Sequence, residues 1–458
     1  MDYNTFLLKK RFILESSGFS IDKFDLNLML YEFQLDIVRC ALARGKAAIF
    51  ADCGLGKTPM QLEWGYQVHK HTGGNVLLLA PLAVSEQTKR EADKFGIPVT
   101  ICRSQSDVKH GINITNYEML HNFIAKEFDG VILDESSILK NYASKMRNQI
   151  IDNFSQTPFR LACTATPAPN DFMELGNHCE FLGVMSRSEM LSMYFVHDGG
   201  DTSKWRLKGH AEDVFWQWMA SWAVFISNPV DLGYPGDDYI LPDLWIYEHI
   251  VDGDDPIKEP LSLMQRKQAR KDSIGLRVKK TAEIVRGIEG QCLIWCDLNS
   301  ESELLTKAIP GAVEVKGSDK PEHKASAMLG FSRGEVKILV TKPSIAGFGM
   351  NWQNCSDMIF VGLSDSYEQY YQAVRRCYRF GQNKPVNAHI VISTKEGCVK
   401  NNIERKTQDA KKMQDAMLEF TKEITKKELQ STKRITTPYN PNKKIKLPNW
   451  GEMSAASF

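Results

Sequence analysis

The chain has 458 residues, 43% of them apolar and 25% charged, the make-up of an ordinary globular protein of about two to four domains. With 57 Lys and Arg against 56 Asp and Glu the net charge is only +1, which excludes a global field for attracting polyanions and leaves any nucleic-acid surface to a local patch. Ten scattered cysteines without a CxxC pair argue against a disulfide framework or a zinc site, and no run approaches ~18 apolar residues, so neither a membrane span nor a leader is expected and the cytoplasm is the expected compartment.

Residues 1–29 give no clear element. Leu30-Tyr31-Glu32-Phe33-Gln34-Leu35-Asp36 opens a helical run to Ala43, closed by a turn at Arg44-Gly45-Lys46. The apolar run Ala47 to Phe50 reads as a buried strand, and strand-like runs recur at Asn75–Ala80, Gly111–Asn116, Phe128–Leu133 and Phe159–Cys163, with a helix over Ser85–Phe95. Near-continuous apolar strands alternating with helices predict a parallel sheet covered on both faces, hence one α/β domain over 30–185.

Residues 186–275 break the alternation and are expected to form a Trp-rich helical insertion or linker. Phe215, Trp218, Met219, Trp222 and Ile226 recur at helical spacing and read as core; Trp205 and Trp216 lie off that stripe and are candidates for stacking on a base. The basic run Arg266–Arg277 reads as a solvated helix face. Strand candidates resume at Gln291–Cys296, Ala312–Val315, Val336–Val340, Met358–Val361 and Val386–Ile392, a second α/β domain over 276–395. In the extension 396–458, Ala410, Met413, Met417, Phe420 and Ile424 mark a long helix that packs back on a domain, with a coiled-coil partner as the other reading. A basic tail follows: residues 421–450 hold eight Lys or Arg against two Glu, and three prolines, and are expected to be extended on their own.

The chemistry centres on AAIFADCGLGKT, residues 47–58. A strand, a glycine-containing turn and a helix start in that order cradle phosphate, because backbone N–H groups and the helix dipole point at the anion. Gly54, Leu55 and Gly56 form the turn, Lys57 reaches the β- and γ-phosphates, and Thr58 offers a hydroxyl to Mg²⁺. Ala51 stands where such a Walker A pattern usually starts with glycine. Asp134-Glu135, directly after the apolar strand 131–133, supplies a Mg²⁺ ligand and a residue to orient or deprotonate water. An isolated Asp-Glu pair is ordinarily a solvated loop; its place behind a phosphate cradle makes it the second half of an ATPase site. In the other domain Arg376 and Arg379, three apart on one helical face, can clamp a γ-phosphate arriving from the first domain.

In this order the motifs resemble helicase superfamily 2 (the DEAD/DEAH-box helicase-like ATPases), and within it the Swi/Snf-type double-stranded DNA translocases, most of all a compact, prophage-type branch. The resemblance covers 30–185 and 285–395. It implies α/β architecture: two tandem RecA-like domains with an ATP cleft between them, plus the helical insertion and the C-terminal helix. Tyr31 to Gln34 is similar to the family's adenine-recognition stretch, with Gln34 reading the base. Ala51–Thr58 resembles motif I, where alanine at the first position is common. Ala80-Pro81-Leu82 and Ile114-Thr115-Asn116-Tyr117-Glu118 resemble motifs Ia and Ib, implying that Pro81, Thr115 and Asn116 touch a nucleic-acid strand. Asp134-Glu135-Ser136-Ser137 fills motif II but departs from the remodellers' Asp-Glu-Gly-His, and Thr164-Ala165-Thr166-Pro167 resembles motif III. Lys316-Gly317-Ser318 resembles a strand-contact motif, and 347–353 resembles motif V, implying Gly349 at the nucleotide and Asn351 at the strand. Gln372 to Gln382 resembles motif VI, with Arg376 and Arg379 on the arginine-finger positions.

The expected function is an ATP- and Mg²⁺-using, nucleic-acid-stimulated ATPase that moves along DNA, with duplex as the implied track. A strand-separating helicase on single-stranded DNA or RNA is an open alternative. So is an ATPase subunit acting only with a nuclease or with phage or host replication or recombination proteins, in the cytoplasm of a bacterial host if the gene is a phage's. A DNA-gripping scaffold without turnover is disfavoured by intact Lys57, Asp134, Glu135, Arg376 and Arg379.

Overall fold

The computed structural model describes residues 16–81, 84–198, 201–253, 262–346, 350–364 and 366–431. Two all-parallel sheets dominate it. The first contains β1 (Lys46–Ala51), β2 (Asn75–Ala80), β3 (Val99–Ile101), β4 (Ile112–Asn116), β5 (Phe128–Asp134), β6 (Phe159–Thr164) and, past an antiparallel hairpin of β7 (Phe195–Asp198) and β8 (Asp201–Leu207), β9 (Ala223–Ile226). Its order is β3-β4-β2-β5-β6-β1-β9. The second contains β10 (Leu244–Ile250), β11 (Cys292–Trp295), β12 (Ala312–Glu314), β13 (Ile338–Thr341), β14 (Asp357–Val361) and β15 (Val386–Ile392), in the order β10-β15-β14-β11-β13-β12.

The apolar runs explain both sheets. Successive strand side chains point to opposite faces. Phe50, Leu77, Leu79, Val131 and Leu133 therefore enter one core, while Ile49, Val76, Leu78 and Ile132 enter the other. The second sheet repeats this, with Leu293 and Trp295 on one face and Cys292 and Ile294 on the other. Strands buried on both faces have no polar side to show, so the sequence reads as unbroken apolar runs.

Six helices position the parts discussed below: α1 (Glu32–Arg44), α2 (Lys57–Thr72), α3 (Ser85–Lys94), α4 (Glu212–Ala220), α5 (Tyr367–Val374) and α6 (Gly397–Ser431). The expected 186–275 insertion is not a separate helical piece. Its α4 and β9 complete the first domain, with β9 pairing to β1, and its β10 pairs to β15 as the edge of the second sheet. The helical stripe runs past its own helix: Phe215, Trp218 and Met219 lie on α4, but Ile226 ends β9. All of them are buried, as expected of core. Trp216 is only 1% exposed and stacks on Phe420 at 6.0 Å, so it is not available to a base; Trp205 packs against His197 and the first core.

The helix α6 starts on the second domain, where Val399 joins its core, and runs to the first, where Met413, Met417, Leu418 and Phe420 pack on one core and Leu429 on the other. The basic tail from residue 432 lies outside the described residues, as does most of the N-terminal segment.

Candidate functional site

The loop after β1 turns on glycines held at positive φ, Gly54 at 91° and Gly56 at 77°, a conformation side chains resist. α2 begins at Lys57, so its first N–H groups face the loop. The Lys57 ammonium donates to the carbonyls of Ala51 (2.9 Å) and Asp52 (3.3 Å), which holds the cation over the cradle. Leu55 turns its side chain into the core, and its carbonyl accepts from the Gln34 amide at 2.9 Å. The Gln34 carbonyl oxygen accepts from the Tyr31 N–H, also at 2.9 Å. Both ends of this amide, expected to read a base, thus tie the start of α1 to the loop.

β5 delivers Asp134 to its C-terminal end, 6% exposed. Gln61 on α2 donates to its Oδ1 at 2.8 Å, and the Tyr117 hydroxyl donates to its main-chain oxygen at 2.6 Å. Burial, then the neighbouring Glu135, pushes the Asp134 carboxyl up to about 6. Glu135 has a φ of 55° and, among the described residues, is the non-glycine at positive φ. Such strain costs about 1–3 kcal/mol and collects at functional sites. It leaves the carboxylate within 3.4 Å of the Thr164 hydroxyl at the end of β6. Two adjacent acids and the Thr58 hydroxyl are hard oxygen donors of the kind Mg²⁺ takes.

The second domain faces this loop with α5 and the turn after it. Arg376, 3% exposed, donates to the Gln372 carbonyl (2.9 Å), the Gln372 side-chain oxygen (2.9 Å) and the Met350 carbonyl (3.0 Å). Arg379 makes one long bond, to Met350 at 3.4 Å. Among the described residues neither arginine has a carboxylate partner. Burial, then Arg376, pushes the Arg379 guanidinium down to about 10. Two guanidinium groups on one face, neither in an ion pair among the described residues, suit a phosphate, although Glu91 nearby already favours the Arg379 cation.

All of this converges on one cleft of about 350 Å³ between the domains. Gln34, Gly54, Gly56, Lys57, Thr58, Asp134 and Glu135 border it from one side, and Arg376, Arg379 and Phe380 from the other. Met29, Tyr31, Phe95 and Tyr239 add an aromatic and apolar end, with the polar Gln87, Thr88 and Glu91 also in the lining. The cleft thus offers charge to a triphosphate and aromatic surface to a base.

The residues expected on a nucleic-acid strand are not brought together in this way. Thr115 is 1% exposed inside β4 and cannot touch a strand where it stands. Asn351 borders the interdomain cleft instead of an outer surface. The Asn116 side chain caps the next turn by accepting from the Met119 N–H at 3.1 Å. Pro81 is half-buried just past β2, and Lys316 is paired with Glu303 (3.5 Å) and Glu314 (3.4 Å), the latter raising its pKa. Gly349 lies outside the described residues.

Sequence reasoning gave no role to Asp52, Tyr371 or Arg375. The Asp52 carboxylate, on the phosphate loop, accepts from the Arg375 guanidinium and the Tyr371 hydroxyl of the second domain. Lys140 and Glu368 form a further ion pair across the same gap. Gly54 lies so near the second domain that a β-carbon there would sit 2.9 Å from Phe380 Cβ and 3.0 Å from its nitrogen. Gly54→Ala should therefore lift Phe380 off the loop and add strain of about 1–3 kcal/mol. We expect roughly a tenfold or greater loss in kcat/KM for ATP with cooperative melting retained.

Residues 28–169 match the family model described as the Type III restriction enzyme res subunit, and residues 277–381 match the helicase conserved C-terminal domain. The TATA-binding protein-associated factor mot1 of Schizosaccharomyces pombe is 28% identical over 123 residues, 25% of this chain and 6% of that protein. The chain is thus helicase-like over both matched segments. The two matched segments of the chain hold the halves of the cleft, Lys57 to Glu135 in one and Arg376 to Phe380 in the other. A solved structure titled the Sulfolobus solfataricus SWI2/SNF2 ATPase core in complex with dsDNA is 17% identical to it, covering 90% of this chain and 98% of that one at a TM-score of 0.42. A likeness that loose decides nothing; the architecture rests on the chain's own two parallel sheets. The chain spans only a small fraction of the length of its curated relative. Among the described residues no helix is long and apolar enough to cross a membrane.

Proposed function

We propose that this ATPase hydrolyses ATP in the interdomain cleft and uses the resulting domain movement to step along duplex DNA. The observation that carries the reading is the single cleft bordered by Lys57, Thr58, Asp134 and Glu135 from one domain and by Arg376 and Arg379 from the other. Each half is incomplete alone, so a γ-phosphate held by the first domain draws the arginines of the second toward it. Mg²⁺, held by Thr58 and Asp134, would neutralise phosphate charge. Glu135 takes the water's proton, and Lys57 leaves the Ala51 and Asp52 carbonyls for the phosphates. The boundaries assigned to the two RecA-like domains, 30–185 and 276–395, then extend to include β9 and β10 respectively.

DNA is the proposed partner because the motif set resembles duplex translocases, and the partial relative mot1 is named as a TATA-binding protein-associated factor. Nothing in the sequence restricts the partner to phage proteins. The test measures phosphate release with duplex DNA, single-stranded DNA and RNA in parallel. Duplex should stimulate most, and its apparent affinity should fall with salt by about 0.9 log units per decade for each phosphate contacted. Stimulation by RNA or single strands alone would replace the duplex reading with the strand-separating one.

A further inference from the structure

Between the end of β9 at Ile226 and the start of β10 at Leu244 the chain crosses from the first sheet to the second. This crossing is anchored on the first domain. Asp231 accepts from the Ser227 and Asn228 N–H groups, each at 2.8 Å, and the Tyr234 hydroxyl donates to Asp36 on α1. Five residues past Tyr234 comes Tyr239, at the end of a single 3₁₀ turn.

The Tyr239 ring occupies the aromatic end of the cleft. It stacks on Phe380 of the second domain, centroids 4.6 Å apart and planes at 25°, and meets Tyr31 and Phe33 of the first domain edge-to-face at 6.1 and 5.7 Å. It borders the same cavity as Gln34, Lys57 and Thr58, and no other residue between Ile226 and Leu244 does. Among the described residues its hydroxyl makes no hydrogen bond, so the ring's contribution is its π-surface. The Gln34 amide, the other polar candidate at this end, is engaged at both ends by Tyr31 and Leu55.

We propose that Tyr239, carried on the interdomain crossing, is a base-stacking residue of the nucleotide site. The proposal rests on the ATPase reading and deepens it: the site then selects triphosphates that carry an aromatic base. An aromatic platform serves every base, since each has a π-face. Phe380 behind the ring is the residue after Arg379, so Tyr239 stands between a seated base and the segment that carries the arginines.

The experiment compares the KM for ATP with the inhibition constant of inorganic tripolyphosphate, a base-free competitor, in the full chain. Removing one stacking partner of a base is worth ~1–3 kcal/mol, so Tyr239→Ala should raise the KM for ATP roughly 5- to 150-fold. Tripolyphosphate inhibition should stay within about twofold of wild type, since its contacts are those of the phosphate cradle. Tyr239→Phe should keep the wild-type KM, because the lost hydroxyl bonds to nothing, while Tyr239→Leu should stay impaired. An unchanged KM in Tyr239→Ala, or equal losses for ATP and tripolyphosphate, would overturn the stacking role while leaving the ATPase reading intact. Wild-type protein that neither binds nor hydrolyses ATP would remove the ATPase reading itself.

Discussion

Glu135→Gln is expected to bind ATP normally and to hydrolyse almost none of it. The amide has the shape of the carboxylate, so the turn at φ 55° and the neighbouring Thr164 hydroxyl meet an unchanged outline. What changes is basicity: an amide oxygen cannot take the proton of an attacking water. Positioned general bases contribute about 10²–10⁴ in rate, so kcat should fall by at least that much, roughly 3–5 kcal/mol of barrier. Binding should survive because the cradle, Lys57 and the arginines are untouched. Lys57→Ala gives the contrast, losing nucleotide binding along with hydrolysis. Phosphate release and equilibrium dialysis of ATP, run on both variants, separate the two outcomes. Wild-type turnover by Glu135→Gln would show that the base is elsewhere.

The elements of this site were legible to very different degrees. Lys57, Thr58, Asp134 and Glu135 could be read because each sits within a few residues of an apolar strand whose end fixes its place. β9 could not: its four residues, Ala223 to Ile226, continue the helical spacing begun on α4, and a run that short does not reveal its own period. β10 is a different miss. Leu244-Trp245-Ile246-Tyr247 is aromatic and β-branched just after Pro242-Asp243, a legible strand signal that the tryptophan-rich surroundings obscured. The contacts across the cleft are farther out of reach. Asp52 meets Arg375 over 323 residues of chain, and only the assembled domains bring them together. Arg375 lies in the same arginine-rich motif, but three-residue spacing on a helix selects Arg376 and Arg379 and passes it over. The nucleic-acid contacts fared worst because motif resemblance gives a segment, not the direction of a side chain. Thr115 and Asn116 are neighbours on β4, yet Thr115 is 1% exposed while the Asn116 side chain caps the following turn.

Alanine at either arginine of the cleft should cost about 10³–10⁵ in kcat if that residue is the principal finger, equivalent to roughly 4–7 kcal/mol of barrier. The geometry divides the work between them. Arg376 already uses its Nε and both terminal nitrogens on Gln372 and Met350, which fixes its plane. Arg379 has a single 3.4 Å bond to Met350 and so keeps most of its five donors for an incoming phosphate. We therefore expect Arg379→Ala to show the larger fall in kcat with little change in melting temperature. Arg376→Ala should lower both, because it strips buried carbonyls of their donor at about 1–3 kcal/mol. Nucleotide affinity should fall much less than kcat in each, since the Gly54-to-Thr58 cradle and Lys57 belong to the other domain. Steady-state kinetics with thermal melts on the two variants make the division visible. A loss confined to KM would make these arginines ground-state binders. If Arg376→Ala lost as much kcat as Arg379→Ala yet melted like wild type, Arg376 would have to leave Gln372 and Met350 for the phosphate during turnover. Its three bonds would then describe the resting enzyme only.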